Sequence, residues 1–401
     1  MLRRPYLLAG TGDDLWYAAA IDFKEKLAVD RRQCLALAGA VALGRVVPAF
    51  ASDQGARYDA VLADYYDFNG TVAVSLGPEV WYTNAVGSAN PQANTPMALN
   101  TRFETGSVSK WIAAMVVMKL VDMGKLALDE PITRYLPDYR ADTGARLTLR
   151  HLMSHTSGVP NEILEARKAH PEMRDQPLEQ MEAVRRYASG ELRFKPGSEW
   201  DYSHSNWLIV KAIVEHVSGQ AYRECVSAWL LAPLQLHNSG IFSGDSDKVA
   251  GMALGYTPSA QTPPWTRNVS PVPDYMAMAG GFYSSATDML FLMNGVLGGS
   301  ILTPASRATL LRVNRQEQHY ALGGRTQLSG IAGQPRECAW EDGSNGGFRL
   351  VARRVLADDV NVVVFNNSSY DHRKLGLLAS ALTEAAYAGF NPMRYRKAPG
   401  A

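Results

Sequence analysis

The sequence predicts an α/β fold of the mixed α+β kind. An antiparallel sheet flanked by helices is built from both chain ends, and a mostly helical subdomain is inserted between them. Three observations lead there. Strand-like runs lie towards both ends, helical patterns fill the middle, and no internal repeat divides the chain. The simplest packing joins the two ends in one sheet, with a cleft against the insertion.

Residues 1–51 read as an N-terminal extension carrying an export signal. Arg31 and Arg32 precede a short apolar run from Cys34 to Gly44, and Ala49 and Ala51 stand in the A-x-A spacing of a cleavage site. The pattern fits a twin-arginine or general secretory signal, so a periplasmic location is expected. Residues 1–29, upstream of that signal, are read as the product of a start codon assigned too early. The folded domain is expected over 52–401. Its sheet part covers about 52–125 and 276–401, and the helical insertion about 126–275.

Within the domain, "GTVAVSL" and "EVWYTNAVG" read as strands around a Gly-Pro turn. "SVSKWIAAMVVMKLVDMG" follows as a helix, with Gly124 as its stop. "LALDEPITRYLPDY" contains two prolines and reads as a loop, and "TLRHLMSHTSG" as a short helix ending in a turn. Helical spacing returns in "LEQMEAVRRYAS" and in the amphipathic "SNWLIVKAIVEHVSG", which Gly219 closes. After a Pro-rich loop at 258–275, "AGGFYSSATDMLFLMNGVLGG" reads as turn then helix. "CAWEDGSNGGFRLVARR" reads as a Gly-rich turn leading into a strand. "NVVVFNNS" is a further strand and "LGLLASALTEAAYAG" the closing helix.

Composition narrows the function classes. Hydrophobic residues make up 46% and charged residues 20%, an ordinary soluble balance. With 40 basic against 39 acidic residues and no basic block, nothing points to nucleic acid. No apolar run reaches the roughly 18 residues of a membrane span. Cys34 leaves with a cleaved signal; Cys225 and Cys338 can form one disulfide or none. C-x-x-C, G-x-G-x-x-G and P-loop motifs are missing, so no metal ribbon or nucleotide cofactor is expected. His151 and His155 stand four apart in "HLMSH", but Leu152 replaces the glutamate of a zinc helix. They read as structural, with "SHTSG" fixing a turn under the cleft.

The chemistry centres on "RFETGSVSKWIAAMVVMKL". Ser107 stands three residues before Lys110 where an apolar helix begins, so the two share a helix face. A serine hydroxyl needs a neighbour to take its proton, and a lysine desolvated by apolar walls has its pKa lowered enough to help. The bland alternative is a serine N-cap beside an ordinary helical lysine. Of 11 lysines only Lys110 has a serine three residues earlier, about what chance alone supplies. Company strengthens the pair. Tyr202 follows a Pro-Gly turn in "FKPGSEWDYSHSNWLIVK", and a phenol beside a lysine relays protons. Gly343 lies on a Gly-rich strand edge, where a substrate approaches the backbone and an N–H can point at an oxyanion.

These segments, together with "LTLRHLMSHTSGVP", "APLQLHNSGIF", "MAGGFYSSATDMLFLMNG" and "GSNGGFRL", resemble in order the serine β-lactamase and penicillin-binding-protein superfamily. The resemblance runs from about 58 to 390 and is to the class C β-lactamase branch, which includes D,D-peptidases, D-aminopeptidases and carboxylesterases. It implies Ser107 as acylated nucleophile, Lys110 as its base partner and Tyr202 as the second acid/base. It implies an oxyanion hole from the N–H groups of Ser107 and Ser344. No cofactor is implied, and the partner is a small-molecule ester, amide or lactam.

Two departures stand out. The branch's Y-x-N reads Tyr202-Ser203-His204, with Asn206 two residues on as a compensating amide. Its K-T-G or H-x-G reads Glu341-Asp342-Gly343. An unpaired Glu341 would repel a substrate carboxylate, favouring esters or amides over β-lactams and peptide C-termini. Arg349, Arg353 and Arg354 read as a solvated strand face from which one arginine could pair with Glu341. The leading expectation is therefore an esterase or amidase. A β-lactamase or D,D-peptidase is the alternative within the class, and a catalytically weak penicillin- or peptidoglycan-binding module the alternative outside it.

Overall fold

The computed structural model describes residues 49–257 and 265–388. The paired arginines, the apolar run with Cys34 and the first part of the Pro-rich loop lie outside the described residues. Helix α1 (Ala49–Ala63) leads into a hairpin of β1 (Gly70–Leu76) and β2 (Glu79–Val86). Helix α2 (Val108–Asp122) follows, and α3 (Ser205–Ser218) lies in the inserted region. The chain returns through β3 (Arg325–Ile331), β4 (Gln334–Asn345), β5 (Phe348–Val355), β6 (Val360–Asn366) and α4 (His372–Tyr387). The six strands form one antiparallel sheet in the order β3-β4-β5-β6-β1-β2. Its seam is the β6–β1 pair, with Gly70 opposite Asn366, so both chain ends build it as expected.

Strand β6, "VNVVVFN", is buried along its whole length because the sheet is covered on both faces. Val362 and Val364 join Tyr58 of α1 and Leu378 of α4 in one apolar cluster; Val363 and Phe365 join Trp111 and Met115 of α2 in another. The period-2 alternation of strand side chains divides them. Helix α2 is apolar on every side, as a helix enclosed between sheet and insertion must be. It stops at Gly124, whose φ of 70° takes the left-handed turn, and α3 stops the same way at Gly219.

Two local readings need correction. The supposed turn at "CAWEDGSN" is strand, the second half of β4, and the turn is Gly346-Gly347. Strand β3 was hidden by Gly330 and by outward residues such as the exposed Leu328. "AGGFYSS" contains a short strand, Phe282–Ser284, which pairs with Phe103–Glu104 at the entrance to α2. Cys225 and Cys338 are both free and buried, in the two different apolar clusters, so they do not pair.

Candidate active site

Ser107 occupies the N-cap position of α2 but makes no side-chain cap bond. Its Oγ instead accepts hydrogen bonds from the Tyr202 hydroxyl at 2.9 Å and from Lys110 Nζ at 3.2 Å. The bland reading of a capping serine therefore fails. Lys110 is fully buried. Its amine also donates to the Ala279 carbonyl at 2.7 Å and lies 5.1 Å from the centre of the Tyr202 ring. No carboxylate pairs with it among the described residues. Desolvation drives its pKa down to about 7; Glu341 pulls upward and Arg325 downward. The Tyr202 phenol moves the opposite way, well above its ordinary value, chiefly by burial and then by the charge of Glu341.

Tyr202 is held from behind by His155. That histidine is buried in the left-handed region at φ 59°, and its ring stacks on Tyr202 with centroids 4.2 Å apart. Its Nδ1 accepts the Ser203 N–H at 3.1 Å. Burial keeps the imidazole well below its ordinary pKa, hence neutral and able to accept. The "SHTSG" turn thus sits under the cleft as expected.

His204 lines the cleft, while Asn206 does not. Asn206 is buried, accepting from Ser157 Oγ at 2.7 Å, so it does not replace the missing amide. Two helical positions turn about 200°, away from the cleft. Asn161, which sequence reasoning missed, contacts the His204 ring at 3.3 Å and donates to the Tyr202 carbonyl at 3.2 Å.

Strand β4 closes the other side. A Cβ on Gly343 would lie 2.2 Å from the Thr105 carbonyl and 3.1 Å from the Ser107 nitrogen. One on Gly106 would lie 2.6 Å from the Ser344 nitrogen. Glycine at both positions lets the start of α2 touch the strand, bringing the Ser107 and Ser344 amides to one place. Glu341 is buried with Oε1 2.5 Å from the Arg325 guanidinium, while Oε2 has no partner. Burial pushes its carboxyl up to about 8 against the pull of Arg325. Either a proton or the guanidinium offsets it, so the expected repulsion by a bare Glu341 is withdrawn.

The pairing arginine is not one of Arg349, Arg353 and Arg354. Arg353 bonds Ser380, and Arg354 is buried against Asp359, Asn294 and Asn361. Arg325 reaches Glu341 because β3 pairs with β4, Arg325 opposite Trp340. That register is the signal that would have found it.

Two cavities of about 430 and 440 Å³ meet at Ser107, and both are also lined by His204 and Ser344. These sizes suit small organic ligands. Among the described residues no His, Cys, Asp or Glu cluster is placed to hold a metal. No described helix is long and apolar enough to cross a membrane.

A sheet built from both chain ends, with a serine–lysine–tyrosine cluster where it meets a helical insertion, defines the β-lactamase-related class of serine hydrolases. A family model described as Beta-lactamase matches residues 58–387, and the chain belongs to that family. Esterase EstB of Burkholderia gladioli is 29% identical over 383 residues, covering 85% of this chain and 93% of that protein. EstCE1, a hydrolase with promiscuous acyltransferase activity, has a TM-score of 0.70 at 24% identity, over 84% of this chain and 99% of that one. The D-amino acid amidase of Ochrobactrum anthropi SV3 has a TM-score of 0.69 at 20% identity, over 83% and 98%. At these identities the two structures speak for the fold.

Proposed function

We propose that the protein is an esterase or amidase of the class C-like branch, working through an acyl-enzyme on Ser107. The observation that carries this is the bonding of one serine oxygen to both a fully buried lysine and a tyrosine. An amine with pKa about 7 has a neutral fraction at neutral pH, whereas the raised phenol keeps its proton. Lys110 is therefore the base and Tyr202 the donor. Ser107 Oγ attacks the acyl carbon and its proton passes to Lys110. The bond to the leaving alcohol or amine breaks as that group takes a proton through Tyr202. Water then attacks the acyl-enzyme and frees the acid. The Ser107 and Ser344 amides face the developing oxyanion. The esterase name of the Burkholderia gladioli relative supports this reading.

Intact mass after incubation with para-nitrophenyl butyrate, and separately with a β-lactam, tests it. The expected outcome is ester turnover or an ester adduct that Ser107→Ala abolishes. A lasting lactam adduct without turnover of either compound would mark a binding module instead. The expected export, to the periplasm, is proposed on the N-terminal sequence alone. N-terminal sequencing of the mature protein tests it: cleavage after Ala51 is expected.

A further inference from the structure

The two cavities that meet at Ser107 differ in charge. The second carries Glu341 and Asp342 against Arg325 and His372, with Arg325 2.5 Å from Glu341 and 3.8 Å from Asp342, and His372 3.5 Å from Asp342. Its acidic side chains find their partners inside it, Glu341 with Arg325 and Asp342 beside His372, so it is the balanced cavity of the two. The first is lined by Arg167, Lys168, Arg174 and Arg349 and, among the described residues, by no acidic side chain.

The cations come from two separate elements. Arg167 and Lys168 lie on the helix Glu162–Ala169 and Arg174 on the turn after it. Arg349 stands across the β4–β5 hairpin, directly opposite Ser344. Lys168 pairs with Glu165 outside the cavity at 3.0 Å. Arg167 is buried and donates to the carbonyls of Pro271 and Arg174, which props the wall. Arg349 is half-buried, and its hydrogen bonds go to the Gly346 and Phe348 carbonyls at 2.8 and 2.6 Å. Among the described residues no carboxylate is within ion-pair distance of it. Desolvation, with no counter-charge, lowers its pKa. A half-buried guanidinium without an anion is costly unless a ligand supplies one.

Tyr202 lines the balanced cavity and not the basic one. Its hydroxyl is the proton donor to the leaving group, so the leaving group departs on the balanced side. The acyl chain then occupies the basic side. We infer that the preferred acyl group carries an acidic terminus, so that the substrates are half-esters or half-amides of dicarboxylic acids with the free carboxylate held by the Arg349 side of the cavity. This deepens the acyl-enzyme reading and rests on it.

The test compares kcat/KM for mono-(para-nitrophenyl) adipate and para-nitrophenyl hexanoate, which differ only in the terminal carboxylate. The wild type is expected to prefer the adipate half-ester about tenfold or more, the advantage shrinking with added salt. Arg349→Gln is expected to remove most of that preference, chiefly through KM, with Arg349→Lys recovering part and Arg174→Gln giving a smaller loss. A merely structural role for Arg349, bracing the hairpin, would lower both esters together and leave the ratio unmoved, which overturns the inference. Equal or better turnover of the hexanoate by the wild type overturns it too, while Ser107-dependent hydrolysis leaves the hydrolase reading standing. No Ser107-dependent turnover of either ester sinks both.

Discussion

Two lysines of this protein are buried to nearly the same degree, and they do opposite things. Lys110 is 0% exposed and Lys211 2%. Lys211, on α3, donates to Gln180 Oε1 at 3.0 Å, Glu215 Oε2 at 3.0 Å and Asp274 Oδ2 at 2.8 Å. Its amine is ringed by two carboxylates and an amide, and it ties α3 to the helix Gln180–Tyr187 and to the turn at Asp274. Lys110 has a serine hydroxyl and one backbone carbonyl. The first arrangement compensates an ammonium; the second does not, so the amine sheds its proton near neutrality. Burial alone does not make a base. What decides is whether the protein supplies the countercharge.

The sharpest way to break the comparison is to remove the proton chemistry while keeping size or charge. Lys110→Arg keeps a cation that cannot act as a base, and Lys110→Met keeps much of the stem without any amine. Each is expected to cost on the order of 10³-fold or more in kcat/KM on a para-nitrophenyl ester, or about 4 kcal/mol of transition-state stabilisation. The wild-type kcat/KM is expected to fall below about pH 7 as the amine takes up a proton. An active Lys110→Arg enzyme with the same acid limb would remove Lys110 from the role of base.

Lys211→Met should show the converse. It removes the cation that Glu215 and Asp274 share, leaving Asp274 with Arg223 at 2.9 Å. Breaking a fully buried pair costs about 3–5 kcal/mol. Here Asp274 and Glu215 keep partial access to water, with side chains 49% and 24% exposed, which reduces the cost to about 2 kcal/mol. A lower urea midpoint is expected, with the kcat of the folded enzyme within about twofold of wild type. A large loss of kcat without loss of stability would mean that Lys211 communicates with the site.

Much of this was legible in the sequence because it depends on local rules. Helix α3 announces itself by period, α2 by its apolar run, and both by a closing glycine. Ser107 and Lys110 are one helical turn apart, and Tyr202 stands at a turn before a helix. Long-range pairing was not legible. Glu341 looked like a repulsive charge because its partner, Arg325, lies on a neighbouring strand 16 residues earlier, reachable only through the β3–β4 register. The same register turns an apparent Gly-rich loop into strand. Asn206 looked like a substitute amide by proximity in sequence, but the helix start turns it into the core. Asn161 and the Ala279 carbonyl gave no sequence signal, since each acts through a position that only tertiary packing defines.

The last effect concerns stability rather than rate. The ordinary value of a lysine amine is 10.5, and burial brings Lys110 down to about 7 in the folded protein. Between those values the unfolded state binds more protons than the native state, so this lysine makes folding stability rise as pH rises across the window. Below about pH 7 both states are protonated and the burial penalty is felt in full; above 10.5 neither is and the penalty is gone. The contribution to the slope is bounded by one proton, about 1.4 kcal/mol per pH unit. Lys110→Met removes it. The variant should therefore be more stable than wild type at pH 7, with the gap narrowing steadily towards pH 10, in paired urea titrations. Lys211→Met should show no such convergence, because its deficit comes from lost ion pairs. Parallel curves for Lys110→Met and wild type across this range would mean that the Lys110 amine stays charged in its pocket, and the contrast between the two lysines would collapse.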